Sequence, residues 1–160
     1  MAERNTPPPM VIDQSKKYAA TVHTNRGDFV ISFVDPKVAP QTVNNFVYLS
    51  QNSYYSGLTF HRVVAGFVVQ GGDPDGNGTG GPGYKLPNET NPSKWARGTV
   101  GMASSSAGVS GSQFFITLGD TPSLASSGVY NHFGQISSGM DVIDKIQIGD
   151  RMTSIDIAGS

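Results

Sequence analysis

The chain has 160 residues, which suits one domain around one core. Hydrophobic residues make up 37% and charged residues 14%, with a net charge of −1, so composition offers no electrostatic partner for nucleic acid or an anionic membrane. There is no cysteine, which excludes disulfides, thiolate metal sites and a cysteine nucleophile, and no apolar run approaches the roughly 18 residues of a membrane helix.

In chain order, residues 1–17 read as a flexible N-terminal arm and 18–160 as one folded domain. Pro7-Pro8-Pro9 favours polyproline geometry, and the first residues lack the apolar core of a signal peptide. The arm reads equally as the remnant of a trimmed tether. Tyr18–Thr24 and 28–34 read as strands, the second with Phe29, Ile31 and Phe33 at a period of two. Asn25-Arg26-Gly27 between them is hairpin chemistry, which outweighs an adhesion reading of Arg26-Gly27-Asp28. Residues 40–51 form the best helix: Pro40 suits its first turn, and Val43, Phe46, Val47 and Ser50 make one face. Two strand segments follow over 58–70, broken near Ala65-Gly66, and then a glycine-rich loop over 71–83. Residues 99–103, 113–118 and 133–136 are further strands, 140–146 a short second helix and 150–157 a closing strand. Many short strands with two helices predict an all-β barrel or sandwich.

The stretch from Phe60 to Gly72 sets one arginine, Arg62, in a run that otherwise reads as buried strand. An unpaired buried charge is costly, so Arg62 must be paired or must face a cleft. Gly111-Ser112-Gln113-Phe114-Phe115-Ile116 offers a second apolar strand with a glutamine near its start. Two apolar strands, one cation and two glutamines, Gln70 and Gln113, describe a shallow pocket for a short, mostly uncharged segment.

Phe60-His61-Arg62 through Gln70-Gly71-Gly72-Asp73, together with Gly111 to Ile116, resembles the two signature segments of the cyclophilins, the peptidyl-prolyl cis-trans isomerases. The resemblance runs from about Tyr18 to Ile157. It implies an eight-stranded antiparallel closed β-barrel with a helix capping each end. It also implies rotation about X-Pro bonds in peptides and unfolded protein segments, assisting folding, without metal or cofactor. A monomer is expected, without nucleic-acid or membrane partners, and a cytoplasmic setting. The loop over 79–84 is closest in style to bacterial members.

Carried over by position, Arg62 is the donor that stabilises the twisted amide, and a structural salt bridge with a loop aspartate is the alternative. Gln70 and Gln113 orient Arg62 or touch the substrate backbone. Phe67, Val68, Phe115 and Leu124 line the proline pocket, although each is also an ordinary core residue. Val68 stands where many relatives have methionine, which loosens the pocket. Tyr130 closes one wall. Ala103 and Ser104 pair with the peptide main chain. His61 borders the site or is a structural imidazole, with no proton transfer to perform. Ser123 stands where cyclosporin-sensitive relatives have tryptophan, so weak cyclosporin binding is expected. The alternative function is a non-catalytic module that holds proline peptides or a partner in the same groove.

Other motifs fail on their own terms. The loop over 71–83 lacks the Gly-Lys-Ser/Thr of a phosphate loop, and Gly108 to Ser112 lacks the last glycine of a nucleophile elbow. His23, His61 and His132 are too far apart in sequence for a local metal motif. Asn77-Gly78-Thr79 and Asn88-Glu89-Thr90 fit the glycosylation pattern, which acts only on a eukaryotic secretory route.

Overall fold

The computed structural model describes residues 6–90, 95–121, 124 and 130–160. Period-two alternation builds its first hairpin. β1 (Tyr18–Thr24) and β2 (Gly27–Phe33) pair antiparallel around Asn25-Arg26, and Gly27 takes φ +126°, where a side chain would be strained. Ala20, Val22, Phe29 and Ile31 point inward with no exposed surface.

Helix α1 (Pro40–Gln51) opens with proline, but its N-cap residue Ala39 has no side-chain acceptor. The orphan donors of its first turn find a carboxylate far along the chain. Glu89 accepts from the backbone N–H of Gln41 at 3.0 Å and of Thr42 at 2.7 Å, a negative charge at the positive end of the helix. The expected face of Val43, Phe46, Val47 and Ser50 is buried, and so are Thr42, Asn44, Asn45 and Leu49. Thr42, Asn44 and Asn45 have partners, whereas the Ser50 hydroxyl has none among the described residues. Asn45 donates to the carbonyl of Gly111 at 2.8 Å, and Asn44 accepts from the N–H groups of Val11 and Ile12. Part of the segment read as an arm is thus docked, with Pro8 buried and Ile12 7% exposed in the core.

The remaining elements are β3 (Phe60–Val64), β4 (Val68–Gly71), β5 (Lys85–Leu86), β6 (Thr99–Ser105), β7 (Gly108–Thr117), β8 (Asn131–Ser138), α2 (Met140–Ile143) and β9 (Met152–Gly159). One antiparallel sheet runs in the order β3-β4-β7-β6-β8-β2-β1-β9, with β5 beside β7. The stretch between the strands expected at 99–103 and 113–118 is a tight hairpin. Ser105 pairs with Gly108 around Ser106-Ala107, which extends β7 to 10 residues. α2 is shorter than expected and continues as hydrogen-bonded turns to Ile146.

The sheet curls around the inner face of α1. Phe46 sits 5.4 Å from both Phe114 and Phe133 and 5.0 Å from Tyr55, measured between ring centroids, which makes it the centre of the core. The expected closed, eight-stranded barrel needs correction. Among the described residues nine strands form one open sheet, a curled half-barrel. Its edge strands β3 and β9 meet at one end only, through the bridge between Thr59 and Arg151 and the N–H of Phe60 donating to the carbonyl of Asp150 at 2.8 Å. From there β9 gives its length to β1, so no ladder closes the seam. No helix among the described residues is long and apolar enough to cross a membrane.

Candidate active site

Strand alternation divides the sheet into a core face and a groove face. Phe60, Val69, Phe114 and Ile116 point into the core cluster. Their neighbours Val68 and Phe115 point outward and form a second cluster with Trp95 and Leu124, against which Phe67, Ala103 and Tyr130 pack. The register does the rest. Arg62 stands opposite Gln70 on β4, and Gln70 stands opposite Phe115 on β7.

These side chains surround a cavity of about 310 Å³ lined by His61, Arg62, Phe67, Val68, Gln70, Asn77, Gly78, Ala103, Ser104, Phe115, Leu124 and Tyr130. Gln113 stands behind the rim. An adjoining hollow of about 290 Å³ shares Gln70, Ala103 and Ser104 with the cavity and takes in Gln113. A larger hollow of about 490 Å³ is lined by residues such as Tyr54, Tyr84 and Lys85 and contains none of the candidate catalytic or substrate-binding residues.

A polar relay fixes the rim. Arg62 Nη1 donates to Gln70 Oε1 at 3.3 Å, Gln70 Nε2 donates to Gln113 Oε1 at 3.1 Å, and Gln113 Nε2 donates to the carbonyl of Gly80 at 2.9 Å. Arg62 has no salt bridge to a loop aspartate among the described residues. The aspartate at the start of the glycine-rich loop is otherwise engaged. Asp73 is 1% exposed and accepts from the N–H groups of Asp75 at 2.8 Å and Asn77 at 3.0 Å. Burial pushes its carboxyl up, but the backbone donors outweigh it and leave the pKa below the ordinary value. This closed turn holds Asn77 and Gly78 at the groove.

His61 is half-buried, and its Nδ1 has no hydrogen-bond partner among the described residues. Burial lowers its pKa, the charge of Asp73 raises it and Arg62 lowers it again, with a net downward shift. The imidazole is therefore neutral near neutral pH. Ser123, on which the expectation about cyclosporin rests, lies outside the described residues.

Sequence reasoning missed Trp95, Asn77 and Gly78. Asn77 and Gly78 were read as loop and as part of a glycosylation pattern, not as groove residues. Trp95 sits in irregular chain before β6, where no periodicity marks it, and its ring stacks on Phe115 at 5.5 Å with 16° between planes. One signal was available: Gly101 interrupts a strand, which marks close approach by another group.

Known proteins resemble this chain in sequence and in fold. Residues 19–157 match the family described as cyclophilin type peptidyl-prolyl cis-trans isomerase/CLD. A peptidyl-prolyl cis-trans isomerase of Helicobacter pylori is 45% identical over 91% of this chain and 90% of its own length. One from Synechococcus elongatus is 46% identical over 86% of this chain and 94% of its own. Among solved structures, a Cryptosporidium parvum cyclophilin type peptidyl-prolyl cis-trans isomerase superposes with a TM-score of 0.81 at 30% identity, covering 90% of this chain and 99% of that one. A second crystal structure of that isomerase, in the presence of the dipeptide Ala-Pro, superposes with a TM-score of 0.77 at 31% identity, covering 89% and 99%. With a family match across nearly its whole length and relatives this similar, the chain belongs to the cyclophilin-type peptidyl-prolyl cis-trans isomerases.

Proposed function

We propose that the groove catalyses rotation about X-Pro bonds in peptides and unfolded segments, with Arg62 as the group that favours the twisted amide. The observation that carries this reading is the placement of Arg62 at the rim of a cavity with one apolar wall, formed by Phe67, Val68, Phe115, Leu124 and Tyr130, where it is hydrogen-bonded to Gln70 at 3.3 Å. Amide resonance sets a barrier of roughly 18–20 kcal/mol, and uncatalysed exchange takes tens to hundreds of seconds. Millisecond exchange requires a barrier lower by roughly 7 kcal/mol. No bond is broken, so neither nucleophile nor proton relay is required.

Phe67, Val68, Phe115, Leu124 and Tyr130 receive the proline ring and hold one side of the bond still. The backbone of Ala103 and Ser104 holds the chain on the other side. As the amide twists, its resonance is lost and electron density returns to the nitrogen, where a charge-assisted donor is most favourable. Gln70 and Gln113 hold Arg62 in place before substrate arrives, so little reorganisation is left for the reacting moment. The Ala-Pro dipeptide present with the Cryptosporidium parvum relative is the kind of ligand this groove suits.

The test is an exchange assay on a short Ala-Pro-Phe peptide, wild type beside Arg62→Ala. Removing one preorganised donor is expected to lower kcat about a hundredfold. Arg62 is exposed, so the melting temperature is expected to stay within a few degrees of wild type. A folded Arg62→Ala protein that turns over at the wild-type rate overturns the mechanism. Peptide binding without any acceleration by the wild type moves the assignment to a non-catalytic proline-binding module.

A further inference from the structure

Phe115 is the apolar wall at the middle of the groove, yet it projects from the outer face of the sheet, away from the main core. On a strand, both χ1 near 180° and χ1 near −60° are common, so an outward phenylalanine ordinarily has a choice of positions. The structure removes that choice from the side. Gly101 on β6 lies between Phe115 on β7 and His132 on β8 as their cross-strand partner. Over Gly101, where a side chain would stand, lies the ring of Trp95. It stacks on Phe115 at 5.5 Å, sits edge-on to Tyr130 at 6.3 Å and packs against His132 at 5.6 Å. The fit leaves no slack. A Cβ built on Gly101 would lie 2.4 Å from Trp95 Cη2 and 2.7 Å from Cζ3.

Trp95 is 4% exposed and does not line the cavity, so it does not touch a substrate there. Its backbone supports the opposite wall. The Trp95 carbonyl accepts from the N–H of Thr121 at 2.8 Å, and the carbonyl of Thr121 accepts from the N–H of Leu124 at 3.0 Å. Both apolar walls of the groove are therefore referred to one residue.

We propose that Trp95 is a positioning residue for isomerisation. Its ring, admitted by Gly101, locks Phe115 and Tyr130 into the geometry that grips the proline ring while the amide twists. This rests on the reading of Phe115 as the pocket wall. A loosened wall still admits a ground-state proline, but it follows the ring and no longer resists it during rotation. The defect is then expected in kcat more than in KM.

The test uses the full chain and the Ala-Pro-Phe peptide, with kcat and KM separated and folding followed by circular dichroism. Trp95→Leu is expected to lose about tenfold in kcat with KM changed less than about threefold. Trp95→Phe, which returns a ring to Phe115, is expected to recover most of that loss. Gly101→Ala, which forces a methyl into the ring while leaving tryptophan in place, is expected to lower kcat in the same direction. A folded Trp95→Leu protein with wild-type kcat overturns the proposal. If Trp95→Leu does not fold, fluorescence decides. Trp95 is the single tryptophan of the chain. Saturating the wild type with this tryptophan-free peptide is expected to shift or quench its emission, and unchanged emission overturns the proposal. Unaltered turnover by Phe115→Ala sinks the reading of the pocket itself. An inactive Phe115→Ala beside a fully active Trp95→Leu sinks only the role of Trp95.

Discussion

Arg62 and His61 are neighbours on one strand and bring two nitrogen bases to the same rim, but only Arg62 carries charge throughout the working range. The downward shift of His61 has a consequence for the pH profile. A protonated His61 would set a second cation beside Arg62 and compete for the amide. Because burial lowers its pKa below 6.5, the neutral form still predominates when the pH reaches 6.5. The value of kcat/KM for an uncharged peptide is expected to stay flat there, since the rotation moves no proton. A titration centred at 6.5 in the pH–rate profile would show that His61 charges freely. Arg62 was visible in the sequence because it interrupts an apolar run, and Gln70 and Gln113 because each borders one. Their relay was not visible, since it ends on the carbonyl of Gly80, and sequence gives no distance between a loop and a strand. Trp95 was still less legible, because its ring reaches Phe115 across Gly101 on the neighbouring strand, a matter of packing that spacing does not show.

Helix α1 was legible at both ends, because proline opens it and the 3.6-residue period survives to Gln51. What surrounds it was not. Thr42, Asn44 and Asn45 look like solvent-facing residues until Glu89, the segment at 11–12 and the carbonyl of Gly111 arrive to satisfy them. The same limit hid β5, whose two residues have no periodicity and exist as a strand only because Lys85 and Leu86 meet Ser110 and Val109. The remote cap is testable. Glu89→Ala leaves two backbone donors and the Thr42 hydroxyl without their shared acceptor, and it removes a charge that favours the helix N-terminus. A loss of about 1–2 kcal/mol is expected, read from the midpoint of urea unfolding. An unchanged midpoint would mean that water replaces the carboxylate without cost. Since Glu89 N–H also donates to buried Asn131, itself bound to Thr42, the loss should spread from α1 to β8 in hydrogen exchange.

At the scale of the whole molecule, the half-barrel is held where its two edges meet. Asp150 lies beside that junction and gathers the first hairpin to it, bonding Arg26 Nε at 2.7 Å and Asn25 Nδ2 at 3.0 Å. The Arg26 guanidinium lowers the Asp150 carboxyl to about 2, against the ordinary 3.8. A depressed carboxylate stabilises the fold fully above its unfolded pKa and stops doing so as pH falls through its folded one. Asp150→Asn is therefore expected to cost about 1 kcal/mol at neutral pH, reduced from the full shift because Arg26 is partly solvated. The gap between the melting temperatures of variant and wild type should narrow between pH 4 and pH 2. A gap that does not change with pH would assign the effect to packing and not to charge. The junction also shows what the closed barrel implied by the family resemblance left out. Alternation specifies that β9 is a strand but not which neighbour takes its length, and β1 takes it. That pairing joins an early strand to a late one. On a ribosome β1 emerges with β2 on one side and nothing on the other, and it keeps an open hydrogen-bonding edge until some 130 further residues have been made. A nascent chain of this protein is accordingly sticky for most of its synthesis, and loss of β9 by early termination would leave that edge as a permanent template for aggregation.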